Sequence, residues 1–299
     1  LIEKKVLSYS TFYCPRGFIC NYHDPKILSD IVNLLKDYVK KHHGLYLKMD
    51  PDIIIHKLDQ DTNIIESFDD NLKLIDNLTD FIFPRRCPVC HDIVAKKGKL
   101  ICDECKDVFV RVKDPFCMKC GKQLSDIDRV YCTFCEKSNI PFIEGRAVFL
   151  YDDNMRKSIY RFKYGGRMEY AKYYAYEIYN KYKEKIRLWN PTVIIPIPLH
   201  KSKLKKRGYN QAFLIAKELS VLTKIPVDNK ILTRVKKTEK QKNLGASGRE
   251  NNVKNAFKMV PNGVQYLSAM LIDDIYTTGA TICNASDALI AGGIENIYY

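Results

Sequence analysis

Between Leu267 and Gly293 the apolar positions change period once. Ala269 to Ile272 is apolar without alternation, which predicts a strand buried on both faces of a parallel sheet. From Thr281 the spacing becomes helical, and Gly292-Gly293 ends it. A second unbroken apolar run, Val193 to Leu199, predicts a strand ending at Pro198, and Ile294 to Tyr299 predicts another. Nearer the N-terminus, Asp24 is placed to cap a helix whose first position is Pro25. Ile27, Leu28, Ile31, Leu34, Leu35 and Tyr38 then form one stripe before Lys-Lys-His-His-Gly44 stops it. His42 and His43 fit the dipole of that helix end better than a metal site. The strand-like Leu45 to Met49 follows, so a βαβ-like fragment is expected there.

With 299 residues, 46% hydrophobic and 28% charged, the chain has material for about two domains with true cores. Val193 to Leu199 is its longest apolar stretch, far short of the roughly 20 residues a membrane helix needs, so no membrane span is expected. The opening Leu1-Ile-Glu-Lys-Lys5 leads into no apolar signal region, which points to the cytoplasm. A net charge of +14 calls for a polyanionic ligand, and Lys201 to Val260 concentrates it, with 16 Lys and Arg against 4 Asp and Glu.

Eight of the 11 cysteines form four C-x-x-C pairs: Cys87/Cys90, Cys102/Cys105, Cys117/Cys120 and Cys132/Cys135, each starting 15 residues after the last. In a cytosolic chain such knuckles hold metal rather than disulfides, because two of them complete a tetrahedral four-thiolate site for zinc. Two structural Zn2+ are expected. Sequential pairing is the simplest, with a cross-braced arrangement also open. Cys14, Cys20 and Cys283 show no ligand spacing.

The strand at 269–272 runs into Asp273-Asp274-Ile-Tyr-Thr277-Thr278-Gly279-Ala280-Thr281 and then the helix. Hydroxyls and a glycine at a helix N-terminus suit a phosphate. Two adjacent carboxylates would repel phosphate, and hydrogen bonding to ribose hydroxyls is a task that suits them. Met270 to Thr281 closely resembles the phosphoribosyl pyrophosphate signature of type I phosphoribosyltransferases. That resemblance implies that Asp273 and Asp274 hold the ribose hydroxyls, and that Thr277, Thr278, Gly279, Ala280 and Thr281 hold the 5′-phosphate.

Ile195 to Gln211, with its Pro-Ile-Pro-Leu and Arg-Gly-Tyr-Asn-Gln, and Arg234 to Asn252 are similar to segments of the ComF family. The order of these motifs after zinc knuckles is that family's own. The resemblance covers about Asp76 to Tyr299. It implies a zinc-ribbon module joined to a phosphoribosyltransferase domain, a link to DNA uptake in natural competence, and phosphoribosyl pyrophosphate with Mg2+ as ligand. Single-stranded DNA and a DNA-uptake helicase or recombination proteins are the implied partners. Lys201, Lys205, Arg207, Arg234 and Arg249 are candidate contacts to pyrophosphate or DNA. Arg234 to Asn251 reads as a mobile loop closing over the site. Tyr209, Phe213 and Tyr276 are candidates to stack bases. Turnover and the acceptor are not specified by any residue, so a phosphoribosyltransferase and a non-catalytic single-stranded DNA-binding protein both stand.

Tyr13 to Gly17 and Leu47 to Pro51 resemble part of the FemAB peptidoglycan aminoacyltransferase family. The match covers about fifty residues, and no transferase activity is inferred from it. The start at Leu1 and the stop inside a predicted strand suggest a fused or incomplete reading frame. The expected organisation is thus α/β: residues 1–62 a FemAB-like fragment, with Asp59 to Asn63 as a linker; 63–140 a double zinc-ribbon module; 141–299 a type I phosphoribosyltransferase domain, a Rossmann-like parallel sheet flanked by helices.

Overall fold

A computed structural model of the chain describes residues 2–6, 9–14, 24–49, 56–58, 64–67, 85–94, 98–235, 256–260 and 265–299. Two compact units are present, Leu1–Arg85 and Arg86–Tyr299.

In the first unit β1 (Ile2–Val6) pairs antiparallel with β2 (Tyr9–Cys14), and β3 (Gly44–Met49) lies parallel to β2. Parallel neighbours need a crossover, which helix α1 (Pro25–Lys41) supplies, completing the expected βαβ unit. Asp24 caps it, its carboxylate accepting the N–H groups of Lys26 at 2.9 Å and Ile27 at 3.2 Å. The buried face differs from the predicted stripe. Val32 is buried, whereas Leu34 is 71% exposed and Ile27 and Tyr38 are exposed too. Val32 and Leu34 stand about 200° apart around a helix, so only one of them can face inward. A hairpin of β4 (His56–Leu58) and β5 (Ile64–Ser67) completes what is described of this unit. The expected linker at 59–63 and Cys20 lie outside the described residues.

The second unit is built on a parallel sheet with strand order β10 (Asn296–Tyr298), β9 (Ser268–Ile272), β6 (Val193–Pro196). Single parallel bridges widen it, Glu144 beside Tyr298 and Val227 beside Ile194. All of β6 and β9 is buried, as unalternating apolar runs predict. Successive side chains go to opposite faces. Val193, Ile195, Ala269 and Leu271 pack with Ile282, Ala285 and Leu289 of helix α7 (Ala280–Ile290) and with Cys117, Cys120 and Cys132. Ile194, Met270 and Ile272 pack instead against α3 (Asp153–Tyr164), α4 (Tyr170–Trp189) and α6 (Gln211–Thr223). The sheet is therefore covered on both faces, one by helices with Phe109 and apolar residues beside the first cysteine pairs, the other by a helix, residues 231–232 and 256–257, and the second set of cysteines.

Helix α5 (Lys201–Arg207) follows β6, and an antiparallel ladder of β7 (Leu232–Arg234) and β8 (Phe257–Met259) precedes β9. Most of the expected closing loop, with Arg249, falls outside the described residues. Among the described residues no helix is long and apolar enough to cross a membrane.

Candidate functional site: a basic cavity and two cysteine tetrads

Strand β9 ends at Ile272, so Asp273 and Asp274 stand at its carboxyl end, where open α/β sheets bind ligands. The backbone turns sharply, and Asp273 accepts the N–H of Asp274 on its own carboxylate at 2.8 Å. Asp274 is held by the Lys163 ammonium of α3 at 2.8 Å, both side chains being largely enclosed. Burial, reinforced by the charge of Asp274, pushes the Asp273 carboxyl up to about 7. Lys163 and Arg234 pull in the opposite direction without cancelling it.

The loop from Ile275 closes onto α7 through Gly279, whose φ of 78° is left-handed. A Cβ there would also stand 2.5 Å from the Tyr276 hydroxyl, so glycine is required twice over. Beyond it the first-turn N–H groups of α7 have no acceptor within the helix. Beside them the Thr278 hydroxyl is buried without a hydrogen-bond partner. An orphaned hydroxyl and free N–H groups at one helix end are the donors an anion needs.

These elements border a cavity of about 1050 Å³ whose lining carries eight Lys and Arg and two carboxylates, Asp273 and Asp274. Thr277, Thr281, Arg207 and Arg234 line it as well. Lys201 and Lys205 are exposed and outside its lining, which takes Lys203 and Lys206 instead. Residues 203, 206 and 207 share one helical face, and 201 and 205 lie off it. The Arg-Gly-Tyr-Asn-Gln motif is a turn that fastens this wall. Arg207 donates to Gln211 and to the Tyr164 hydroxyl, both at 3.0 Å, while Gly208 ends α5 at φ 82°. Tyr209 donates to the Phe162 carbonyl, and Asn210 donates to the Ile197 carbonyl at 3.0 Å. Tyr209 is thus committed to the core, and Tyr276 stacks on Tyr299 at 5.1 Å. Phe213 is half-buried. The aromatic groups that do face outward are Tyr151, Tyr160 and Tyr164 along the same cavity.

The cysteines gather into two tetrads, Cys87/Cys90/Cys102/Cys105 and Cys117/Cys120/Cys132/Cys135, with the sulfurs of each within 4.8 Å of one another. Sequential pairing is therefore the arrangement adopted. Cys90 and Cys102 sulfurs are 3.8 Å apart, and Cys120 and Cys132 sulfurs 3.7 Å. Four thiolates at the usual Zn–S length of ~2.3 Å stand ~3.8 Å apart, so the tetrads fit zinc. The knuckles repeat bond for bond. The N–H of Cys87 reaches the Asp92 carbonyl and that of Cys117 the Lys122 carbonyl, both at 2.8 Å. His91 and Gly121 occupy the same left-handed turn position, with φ 73° and 69°.

Each tetrad is tied to the sheet differently. At the first, Tyr170 donates to the Cys87 carbonyl at 3.1 Å and pairs with His91 Nδ1 at 2.8 Å, while Arg161 donates to the Val89 carbonyl at 2.9 Å. At the second, Tyr299 donates to the Cys120 carbonyl at 2.8 Å and stacks on Tyr276 of the loop that leads into α7. Phe134, in the short helix α2 (Thr133–Lys137), backs Gly279.

Comparison with known proteins agrees with this geometry. The double zinc ribbon domain family matches residues 78–136, and the FemAB family matches residues 1–84. The latter runs past the stretch in which the resemblance is visible, to the edge of the first compact unit. Competence protein F of Haemophilus influenzae is 33% identical over 223 residues, 72% of this chain and 95% of that protein. Competence protein ComFC of Bacillus subtilis is 27% identical over 66% of this chain and 81% of its own length. DNA utilization protein YhgH of Escherichia coli K12 is 27% identical over 70% and 92%.

Proposed function

The chain belongs to the ComF family, and from that membership we propose that it acts in DNA uptake through a type I phosphoribosyltransferase domain binding Mg-phosphoribosyl pyrophosphate. One observation carries the proposal. A carboxylate pair with Thr277 and Thr281, at the start of a glycine-capped helix, lines one cavity of strongly positive lining, and the orphaned Thr278 hydroxyl is buried between those two threonines in sequence. Asp273 and Asp274 accept the ribose hydroxyls, the 277–281 loop takes the 5′-phosphate, and Arg207, Lys203, Lys206 and Arg234 face the pyrophosphate. Mg2+, bound with the ligand, would neutralise pyrophosphate oxygens. Lys163 keeps Asp274 oriented. The division into 1–62, 63–140 and 141–299 and a cytoplasmic setting belong to the same proposal.

Calorimetric titration of Mg-phosphoribosyl pyrophosphate into the zinc-loaded chain tests it, beside the double variant Asp273→Asn, Asp274→Asn. Micromolar binding lost in the variant is the expected result, and a well-folded wild type that binds none refutes the proposal. Affinity should also fall as pH drops from 8 to 6, because a protonated Asp273 accepts fewer hydrogen bonds. Stability moves the other way. A carboxyl raised to about 7 favours the folded state at low pH, and that contribution is lost as pH rises through 7. Asp273→Asn should therefore stabilise the fold at pH 8 by about 2 kcal/mol while weakening ligand binding.

A second reading keeps the fold and drops turnover, leaving a protein that holds single-stranded DNA. The excess of cations over acids around the cavity, and relatives named for competence and DNA utilization, favour it. Release of pyrophosphate in the presence of an acceptor separates the two.

A further inference from the structure

Helix α3 lines the cavity with two tyrosines that no sugar or phosphate role employs. Tyr160 is 64% exposed and Tyr164 53%, yet they are not scattered surface residues. Their ring centroids lie 5.0 Å apart at 47°, one helical turn from each other. The Arg207 guanidinium sits 4.9 Å over the Tyr164 ring and donates to its hydroxyl, so that ring is held in place rather than loose. Arg156 and Lys157 lie exposed a turn earlier on the same helix, and Lys206 is exposed across the cavity. Lys163, the partner of Asp274, lies between the two tyrosines in sequence, so this wall continues into the carboxylate site.

Such a surface offers flat apolar faces edged by cations. A membrane headgroup or a phosphopeptide uses the cations and leaves the rings idle. A duplex buries its base faces and uses the cations alone. Single-stranded nucleic acid uses both, laying bases on the rings and phosphates on the cations. Resting on the DNA-uptake reading above, we infer that Tyr160 and Tyr164, flanked by Arg156, Lys157 and Lys206, are a stacking shelf for single-stranded DNA. Bases lie over the two rings and the sugar-phosphate chain runs along α3 toward Asp274.

The test is fluorescence anisotropy with a labelled oligodeoxythymidine 20-mer and full-length zinc-loaded protein across a salt series, with calorimetry of Mg-phosphoribosyl pyrophosphate alongside. Tyr160→Ala, Tyr164→Ala is expected to weaken DNA binding by about tenfold or more per ring, and Tyr160→Ala alone, which keeps Arg207 on Tyr164, to leave phosphoribosyl pyrophosphate affinity within about threefold. An abasic strand of equal length should bind wild type weakly and be indifferent to the double substitution. Arg156→Ala, Lys157→Ala should lower the salt slope by about 1.4, the loss of two phosphate contacts on a single strand. Both tyrosines are exposed, so the variant should fold, and an unchanged melting temperature confirms this. DNA affinity within twofold of wild type in the tyrosine variant overturns the shelf, as does equal affinity for the abasic strand. Wild type that binds phosphoribosyl pyrophosphate but no DNA overturns the shelf and spares the sugar-phosphate site. Ring-dependent DNA binding without phosphoribosyl pyrophosphate binding does the reverse.

Discussion

The two cysteine tetrads share spacing, turn geometry and sulfur separation, and differ in what they hold up. Three of the four thiols in the second are buried, within the core cluster that contains one face of the parallel sheet. In the first, Cys87 and Cys105 are buried but Cys90 is exposed and Cys102 half-exposed, none of the four belongs to a core cluster, and the contacts to the rest of the unit are hydrogen bonds from Tyr170 and Arg161 and the packing of Val89, Leu100 and Ile101. From Cys120 the path runs through Tyr299 and Tyr276 to the loop that faces the cavity, and from the knuckle helix through Phe134 to Gly279. A repeated motif has thus become a core component in one copy and a tethered flank in the other. Zinc at the second site should therefore govern ligand binding, and zinc at the first should not.

The largest effect expected is from Cys120→Ser set against Cys90→Ser. A structural zinc contributes on the order of 10 kcal/mol of folding free energy, and in the second tetrad that energy holds up part of the sheet's core. Each variant should lose one zinc of two, measured with a colorimetric chelator. Cys120→Ser should lower the melting temperature sharply and abolish binding of Mg-phosphoribosyl pyrophosphate, while Cys90→Ser keeps affinity within about threefold. Equal losses of affinity would erase the distinction. The connection alone is probed by Tyr276→Ala, which leaves all eight thiols in place. A stacked aromatic pair contributes about 0.5–1.5 kcal/mol beyond its area, so affinity should fall roughly tenfold with zinc content still two. No change in affinity would mean that the knuckle and the loop are merely neighbours.

Elements whose information is local were legible in the sequence. The buried strands β6 and β9, the α7 start at the glycine, the Asp24 cap and both tetrads all follow from residues within one turn or one repeat. Partners brought in from elsewhere were not. Lys163 pairs with Asp274 across the fold, and nothing beside either residue announces it. Tyr209 follows a run of cations and Tyr276 the Asp273-Asp274 pair, but both turn their rings inward, because each lies where its backbone passes the core. The rings that do face the cavity, Tyr160 and Tyr164, carried a usable signal in their i,i+4 spacing among Arg156, Lys157 and Arg161. Which lysines of α5 line the cavity was illegible for a related reason: which side of a seven-residue helix faces a cavity depends on the turn that follows it, here Gly208.

The smallest effect tests the first tetrad's tether. Tyr170 is 1% exposed, and its hydroxyl serves the Cys87 carbonyl and His91 Nδ1 together. Tyr170→Phe keeps the ring in the core and removes both bonds, each contributing about 0.5–1.5 kcal/mol. Most of that loss should fall on the knuckle, because the ring's own packing is unchanged. Release of the first zinc to a chelator should quicken severalfold, with the second zinc and phosphoribosyl pyrophosphate affinity unmoved. If the slow zinc also quickened, the two ribbons would be one cooperative body, and the difference in their burial would carry no functional division.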